Sequence, residues 1–160
     1  MSPSPTGRLA GADLVFIRII AASVADVWSA LSESDRLDAW IGRFEGDPAS
    51  GEVDFSMTAE GEGPAAQLRI NACEPPRLLD VTQAVGDEGW RLRAELSDDA
   101  GATRLVFTHV DVAPEAVEMI GPGWDYYLDR LVAAVTGGDV NAVDWDADYY
   151  PAMGAYYSEL

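Results

Sequence analysis

The apolar positions along this chain follow two periods, and the switch between them lays out the domain. Leu14 to Ile20 (LVFIRII) is a β-branched and aromatic run, which predicts a strand. From Val24 the spacing turns helical, with Val24, Val27, Trp28 and Leu31 on one face. Ser23, with Asp26 three residues on, supplies a start signal of capping-box type. Ser32 or Ser34 then opens a second short helix that buries Leu37, Trp40 and Ile41. From about Arg43 the period becomes two. Val53, Phe55 and Met57 alternate with polar residues, and so do Leu68, Ile70 and Ala72. The same holds for Leu79, Val81 and Gln83, for Trp90, Leu92, Ala94 and Leu96, and for Leu105, Phe107 and His109. Turn residues separate these runs at Gly61-Glu62-Gly63-Pro64, Glu74-Pro75-Pro76, Gly86-Asp87-Glu88-Gly89 and Asp98-Asp99-Ala100-Gly101. Short loops between alternating strands predict an antiparallel meander with one buried face.

The helical period returns from Pro114 to Val135. Val117, Ile120, Trp124, Tyr127, Leu128, Leu131, Val132 and Val135 make one broad apolar stripe. Pro114 suits a first turn, and Gly137-Gly138 ends the helix through a left-handed residue. Pro122, between Gly121 and Gly123, predicts a kink or a handover from a short first helix. A long helix laid on one face of the meander makes an α+β, two-layer domain. Residues 1–12 read as a flexible leader, 13–138 as the domain, and 139–160 as an acidic, aromatic tail packed on it. In that tail Tyr149, Met153, Tyr156 and Leu160 fall at roughly helical spacing, and a lid or an interface is the alternative use for it.

Composition narrows the function classes. The net charge is −18, from 28 acidic and 10 basic side chains, so neither nucleic acid nor an anionic membrane is an expected partner. No apolar run is long enough to span a bilayer. Cys73 is the single cysteine, which fits a reducing cytoplasm. One His and one Cys cannot form a zinc pattern, and no cofactor motif is present, so neither a metal nor a cofactor is expected. No catalytic residue is assigned. Cys73 is expected to point away from the sheet's inner face, and the carboxylates are scattered over turns and outer faces. Alternation plus the helix stripe gives the inward-facing set: Phe55, Met57, Leu68, Ile70, Val81, Gln83, Trp90, Leu92, Phe107 and His109, facing Trp124, Tyr127, Leu128 and Leu131. Trp28, Trp40 and Phe44 are placed at one end. Gln83, His109 and Tyr127 need partners when buried, which makes them the specificity candidates.

The stretches IRIIAASVADVWSALSESDRLDAWIG, CEPPRLL and GATRLVFTH, with GWDYYLDRLVAAV after them, resemble the START-like (SRPBCC) superfamily. Within it the chain is most similar to the branch of the C-terminal domain of the Hsp90 ATPase activator, over roughly Asp13 to Val135. The resemblance implies a helix-grip (Bet v 1-like) fold: a curved antiparallel sheet of about six to seven strands around a long C-terminal helix, with two short helices after the first strand. It also implies a cavity. Gln83 departs from the family, where a Trp often follows the Thr of this strand. The eukaryotic activator carries a further N-terminal domain that has no counterpart here, so Hsp90 activation is not carried over. Three readings follow. The first is non-enzymatic binding of a small hydrophobic or amphipathic molecule by a monomer or homodimer. The second is a protein-interaction or chaperone-partner module that uses the acidic surface and the tail. The third is an enzyme of polyketide cyclase type.

Overall fold

The computed structural model describes residues 3–59, 65–85 and 88–160. The turns expected at Gly61-Glu62-Gly63-Pro64 and at Gly86-Asp87 lie outside the described residues. The fold is α+β. Eight strands form a single antiparallel sheet: β1 (Arg8–Ala10), β2 (Asp13–Ile20), β3 (Gly42–Glu45), β4 (Glu52–Met57), β5 (Ala66–Glu74), β6 (Leu78–Val85), β7 (Glu88–Asp99) and β8 (Ala102–Val110). Their order is β1-β2-β8-β7-β6-β5-β4-β3, so β3 to β8 are the expected meander and β2 returns to pair with β8. Eight is above the expected six to seven. β1 lies inside the stretch read as a leader, and β3 is a four-residue edge.

Between β2 and β3 stand α1 (Val24–Ser32) and α2 (Ser34–Leu37). Ser23 caps α1 as expected, its Oγ accepting from the Asp26 N–H at 3.1 Å. Neither serine caps α2. Ser32 Oγ donates to the Trp28 carbonyl, and Ser34 Oγ bonds both backbone groups of Phe44, fastening α2 to β3. A second difference lies in β5. Ile70 opposes Val81 but Ala72 opposes Asp80, so Asn71 is an extra residue in a β-bulge. The bulge reverses the parity beyond it. Ala72 joins the outer face, while Cys73 falls opposite Leu79 on the inner face, at an exposed strand end. Asn71 uses its side chain there, donating to Asp80 at 3.1 Å and to Thr82 at 2.8 Å.

The long helix, α3 (Val117–Thr136), follows a single 3-10 turn at Pro114–Ala116 and runs through Pro122 as one helix. Gly137 closes it at φ 79°, with the Gly138 N–H returning to the Ala133 carbonyl. Its C-terminal half packs Leu128 and Leu131 onto Leu14, Phe16, Ile20, Val27 and Leu105 in a filled core. Beyond it the chain forms α4 (Trp145–Asp148) and α5 (Gly154–Ser158). Tyr149, Met153 and Tyr157 are buried. The tail reading named Tyr156 instead, but Tyr156 is 40% exposed and Tyr157 only 1%.

Asp125, wholly buried on α3, ties these pieces together. It accepts from Arg18 of β2 at 2.9 Å, from the Thr6 hydroxyl at 2.5 Å and N–H at 3.2 Å, and from the Tyr157 hydroxyl. Arg18 also reaches Asp129 at 3.2 Å, and Asp129 accepts from Tyr149 at 2.7 Å. Burial, then the neighbouring carboxylates, holds both tyrosine hydroxyls well above their ordinary pKa, so they stay donors.

Gly121 makes room for the Tyr157 ring, because a Cβ there would stand 2.3 Å from it, whereas nothing lies within 4 Å of one at Gly123. Gly121→Ala is therefore expected to cost about 1–3 kcal/mol by overpacking, measured by urea unfolding. Gly123→Ala, at an open helical position, is expected to be neutral or to stabilise by up to about 1 kcal/mol. Equal effects at the two sites would show that Tyr157 does not press on α3 as described.

Candidate functional site

A half-enclosed pocket of about 410 Å³ lies between the inner faces of β4 to β7 and the N-terminal half of α3. Alternation builds its floor. Phe55 and Met57 come from β4, Leu68 from β5, Leu79, Val81 and Gln83 from β6, Trp90, Leu92 and Ala94 from β7, and Phe107 from β8. The helix contributes Met119, Ile120, Gly123, Trp124 and Tyr127. Successive helical residues turn by about 100°, so α3 carries two neighbouring rows. The Ile120–Gly123–Tyr127 row faces the pocket. Leu128 and Leu131 continue toward the core and do not line it.

Leu31, Leu37, Trp40 and Ile41 close one end. Trp40 is held there through both of its ends. Its indole N–H donates to the Ala30 carbonyl at 2.9 Å, and its own carbonyl accepts from Arg130 Nε at 2.9 Å. Trp28 and Phe44, expected at that end, pack half-buried against the core instead. The other side is walled by Trp145 of α4, which stacks on Tyr149 and Tyr150 at 6.4 and 6.1 Å. Trp145 thereby makes the C-terminal segment part of the pocket.

Of the residues expected to line it, Phe55, Met57, Leu68, Val81, Gln83, Trp90, Leu92, Phe107, Trp124 and Tyr127 do so. Ile70, His109, Leu128 and Leu131 do not. Ile70 shares a face with Val81 but lies beyond the pocket. His109 faces inward and is 3% exposed, but two tryptophans of the lining cover it. Its ring centroid is 5.0 Å from that of Trp90, and its Nδ1 accepts the Trp124 indole N–H at 3.0 Å. That bond puts the proton of the neutral imidazole on Nε2 and fixes the Trp124 indole, whose ring stands 4.6 Å from Phe107. His109 therefore orients a wall residue and does not touch the pocket.

The lining is apolar apart from the Gln83 amide, the Tyr127 hydroxyl and Arg93. Arg93 lies opposite Asp80 and Thr108 on the outer face and pairs with Glu95 at 2.9 Å. Among the described lining residues there is no His and no carboxylate. The residues missed by sequence reading are Leu31, Leu37, Ile41, Leu79, Arg93, Ala94, Met119, Ile120, Gly123 and Trp145. Leu79 and Ala94 had the right strand parity, and Ile120 the right helical spacing. Nothing in the local pattern AVDWDAD points Trp145 at a pocket built from residues 31–127.

The family model described as "Activator of Hsp90 ATPase homolog 1-like protein" matches residues 21–136. No curated protein matches the chain in sequence. Among solved structures, CalU16 from Micromonospora echinospora superposes with a TM-score of 0.72 at 22% identity, over 98% of this chain and 95% of its own. A protein from Arthrobacter aurescens gives 0.72 at 16% identity, covering 91% and 95%. The Aha1 dimer from Colwellia psychrerythraea gives 0.63 at 18% identity, covering 77% of this chain and 95% of that one. At these identities the likeness is one of fold, and it is the helix-grip fold.

Burial holds the His109 imidazole below its ordinary pKa of 6.5. The unfolded chain then takes up a proton near pH 6.5 that the folded one resists, so folding stability is expected to fall as pH drops below about 6.5. His109→Gln, which keeps an acceptor for Trp124 but does not titrate, is expected to flatten that decline between about pH 6.5 and 5, above the carboxylate range. Urea midpoints at several pH values test this. An unchanged slope would mean that His109 protonates freely in the folded state.

Proposed function

The chain belongs to the Activator of Hsp90 ATPase homolog 1-like family, and from that premise we propose that it binds a small hydrophobic or amphipathic molecule in the helix-grip pocket without transforming it. One observation carries the reading: space of about 410 Å³ is walled by aromatic and aliphatic side chains, with Gln83, Arg93 and Tyr127 as the polar members of the lining. Cavities of that size and lining are the common form of small-molecule site. A domain with no such ligand gains by filling that space, since buried apolar surface left without neighbours forfeits packing energy. Gln83 stands where relatives of this branch often carry a Trp, and the shorter side chain leaves room and offers an amide.

The cyclase reading asks for a positioned acid or base, and His109 stands behind Trp90 and Trp124. The interaction-module reading rests on the acidic surface and on the tail, yet Tyr149, Met153 and Tyr157 are turned inward. We place the protein in a reducing cytoplasm on the strength of the lone Cys73, as a monomer or homodimer. Among the described residues no helix is long and apolar enough to cross a membrane.

The test is a thermal-shift titration with the neutral fluorophore N-phenyl-1-naphthylamine. A ligand at a hundredfold its Kd adds about 2.7 kcal/mol, which is several degrees for a domain of this size. Leu92→Trp, which fills the pocket floor, is expected to abolish the shift while the variant still unfolds cooperatively. No shift in the natural protein, with Leu92→Trp more stable than the parent, would identify the pocket as a packing defect and sink the proposal.

A further inference from the structure

We infer that the occupant of this pocket is a hydrophobic cation, an aromatic or compact apolar body carrying a quaternary or delocalised positive charge. The inference rests on the pocket being a ligand site and adds the sign of the ligand's charge. Three features argue for it together.

The first is the wall. Four of the protein's five tryptophans, Trp40, Trp90, Trp124 and Trp145, line the pocket, with Tyr127 beside them. The faces of these rings carry negative potential, and Trp is the strongest partner for a cation held within about 6 Å of its ring. Ring faces bind a quaternary nitrogen without asking for a hydrogen bond, which suits a lining with so few polar groups.

The second is the rim. The exposed acids that flank the helical part of the lining in sequence are Asp38 beside Leu37 and Asp144 and Asp146 on either side of Trp145, whereas Glu118, next to Met119, is turned to Gly154. Arg36, also beside Leu37, is the one base in that set. Met119 itself is 51% exposed, which marks it as part of the mouth. Three carboxylates against one guanidinium, on a protein of net charge −18, draw cations to this opening and repel anions from it.

The third is the engagement of the neighbouring arginines. Arg93 pairs with Glu95, and Arg18 with Asp125 and Asp129. Arg130 is turned to the carbonyls of Trp40 and Val140 and to the Tyr126 ring. An anionic ligand would lose its water with only the exposed Arg36 of the rim to meet it, whereas a cationic one would meet aromatic faces under a rim richer in carboxylates.

The experiment uses three naphthalenes of matched shape on the full chain, followed by quenching of tryptophan fluorescence and by calorimetry. They are (naphthalen-1-yl)methyl-trimethylammonium, its neutral isostere 1-neopentylnaphthalene, and naphthalen-1-ylmethanesulfonate. The ammonium is expected to bind roughly tenfold or more tighter than the isostere, and the sulfonate weakest of the three. Raising salt from about 20 to 300 mM, which shortens the screening length from roughly 20 to 6 Å, is expected to weaken only the ammonium. Asp38→Asn with Asp144→Asn and Asp146→Asn should lower ammonium affinity several-fold and leave the neutral probe unchanged. Binding of the neutral isostere as tightly as the ammonium would overturn the charge assignment and leave the pocket a ligand site. Failure of all three to bind a protein shown folded by circular dichroism would overturn both.

Discussion

The carboxylate of Asp125 is the constraint on which the rest of this structure depends. It sits in the middle of α3 with no exposed surface, and a buried charge of that kind is tolerated only when it is paired and fully hydrogen-bonded. Its partners come from three separate parts of the chain: Thr6 before β1, Arg18 on β2 and Tyr157 on α5. Removing one partner of such a pair typically costs about 3–5 kcal/mol, because the survivor remains buried and unpaired. The requirement makes α3 more than a cover for the sheet. It fixes the helix against β2, and it anchors both chain ends to the helix.

With one half of α3 anchored in this way, the other half is left to stand over the sheet. Leu128 and Leu131 fill the space above β2 and β8. Toward the N-terminus of the helix, Gly123 presents no side chain to the sheet, and the meander beneath it is left partly uncovered. The pocket occupies that gap. Its orientation is rigid where indoles are held through their N–H groups, Trp124 by His109 and Trp40 by Ala30. The wall supplied by Trp145 depends instead on ring stacking and on the tail's own attachment to Asp129 and Asp125.

Much of this was legible in the sequence, because side-chain parity and helical spacing are local properties. The α+β class, the meander, α3 and its glycine stop, and ten of the residues lining the pocket follow from them. What escaped has three physical causes. Parity says which face a residue takes but not what covers it, so His109 was correctly inward and still wrongly placed at the pocket. A single inserted residue, Asn71, reverses the alternation after it, and nothing in RINACE marks the spot. Contacts between distant segments leave no periodic trace: Arg18 sits on the inner side of β2 because Asp125 lies 107 residues away. The tail shows the same effect, since helical spacing selected Tyr156 while Gly121 admits the ring of Tyr157.

The bond between the Gly7 N–H and the Tyr157 hydroxyl spans 150 residues, and it sets an order of events for a chain made on a ribosome. Residues 6–10 are synthesised long before the group that fixes them exists. Until α5 emerges, Asp125 lacks one of its donors and β1 is held by β2 alone. The sheet and α3 are therefore complete in the growing chain before the segment that ties its two ends together.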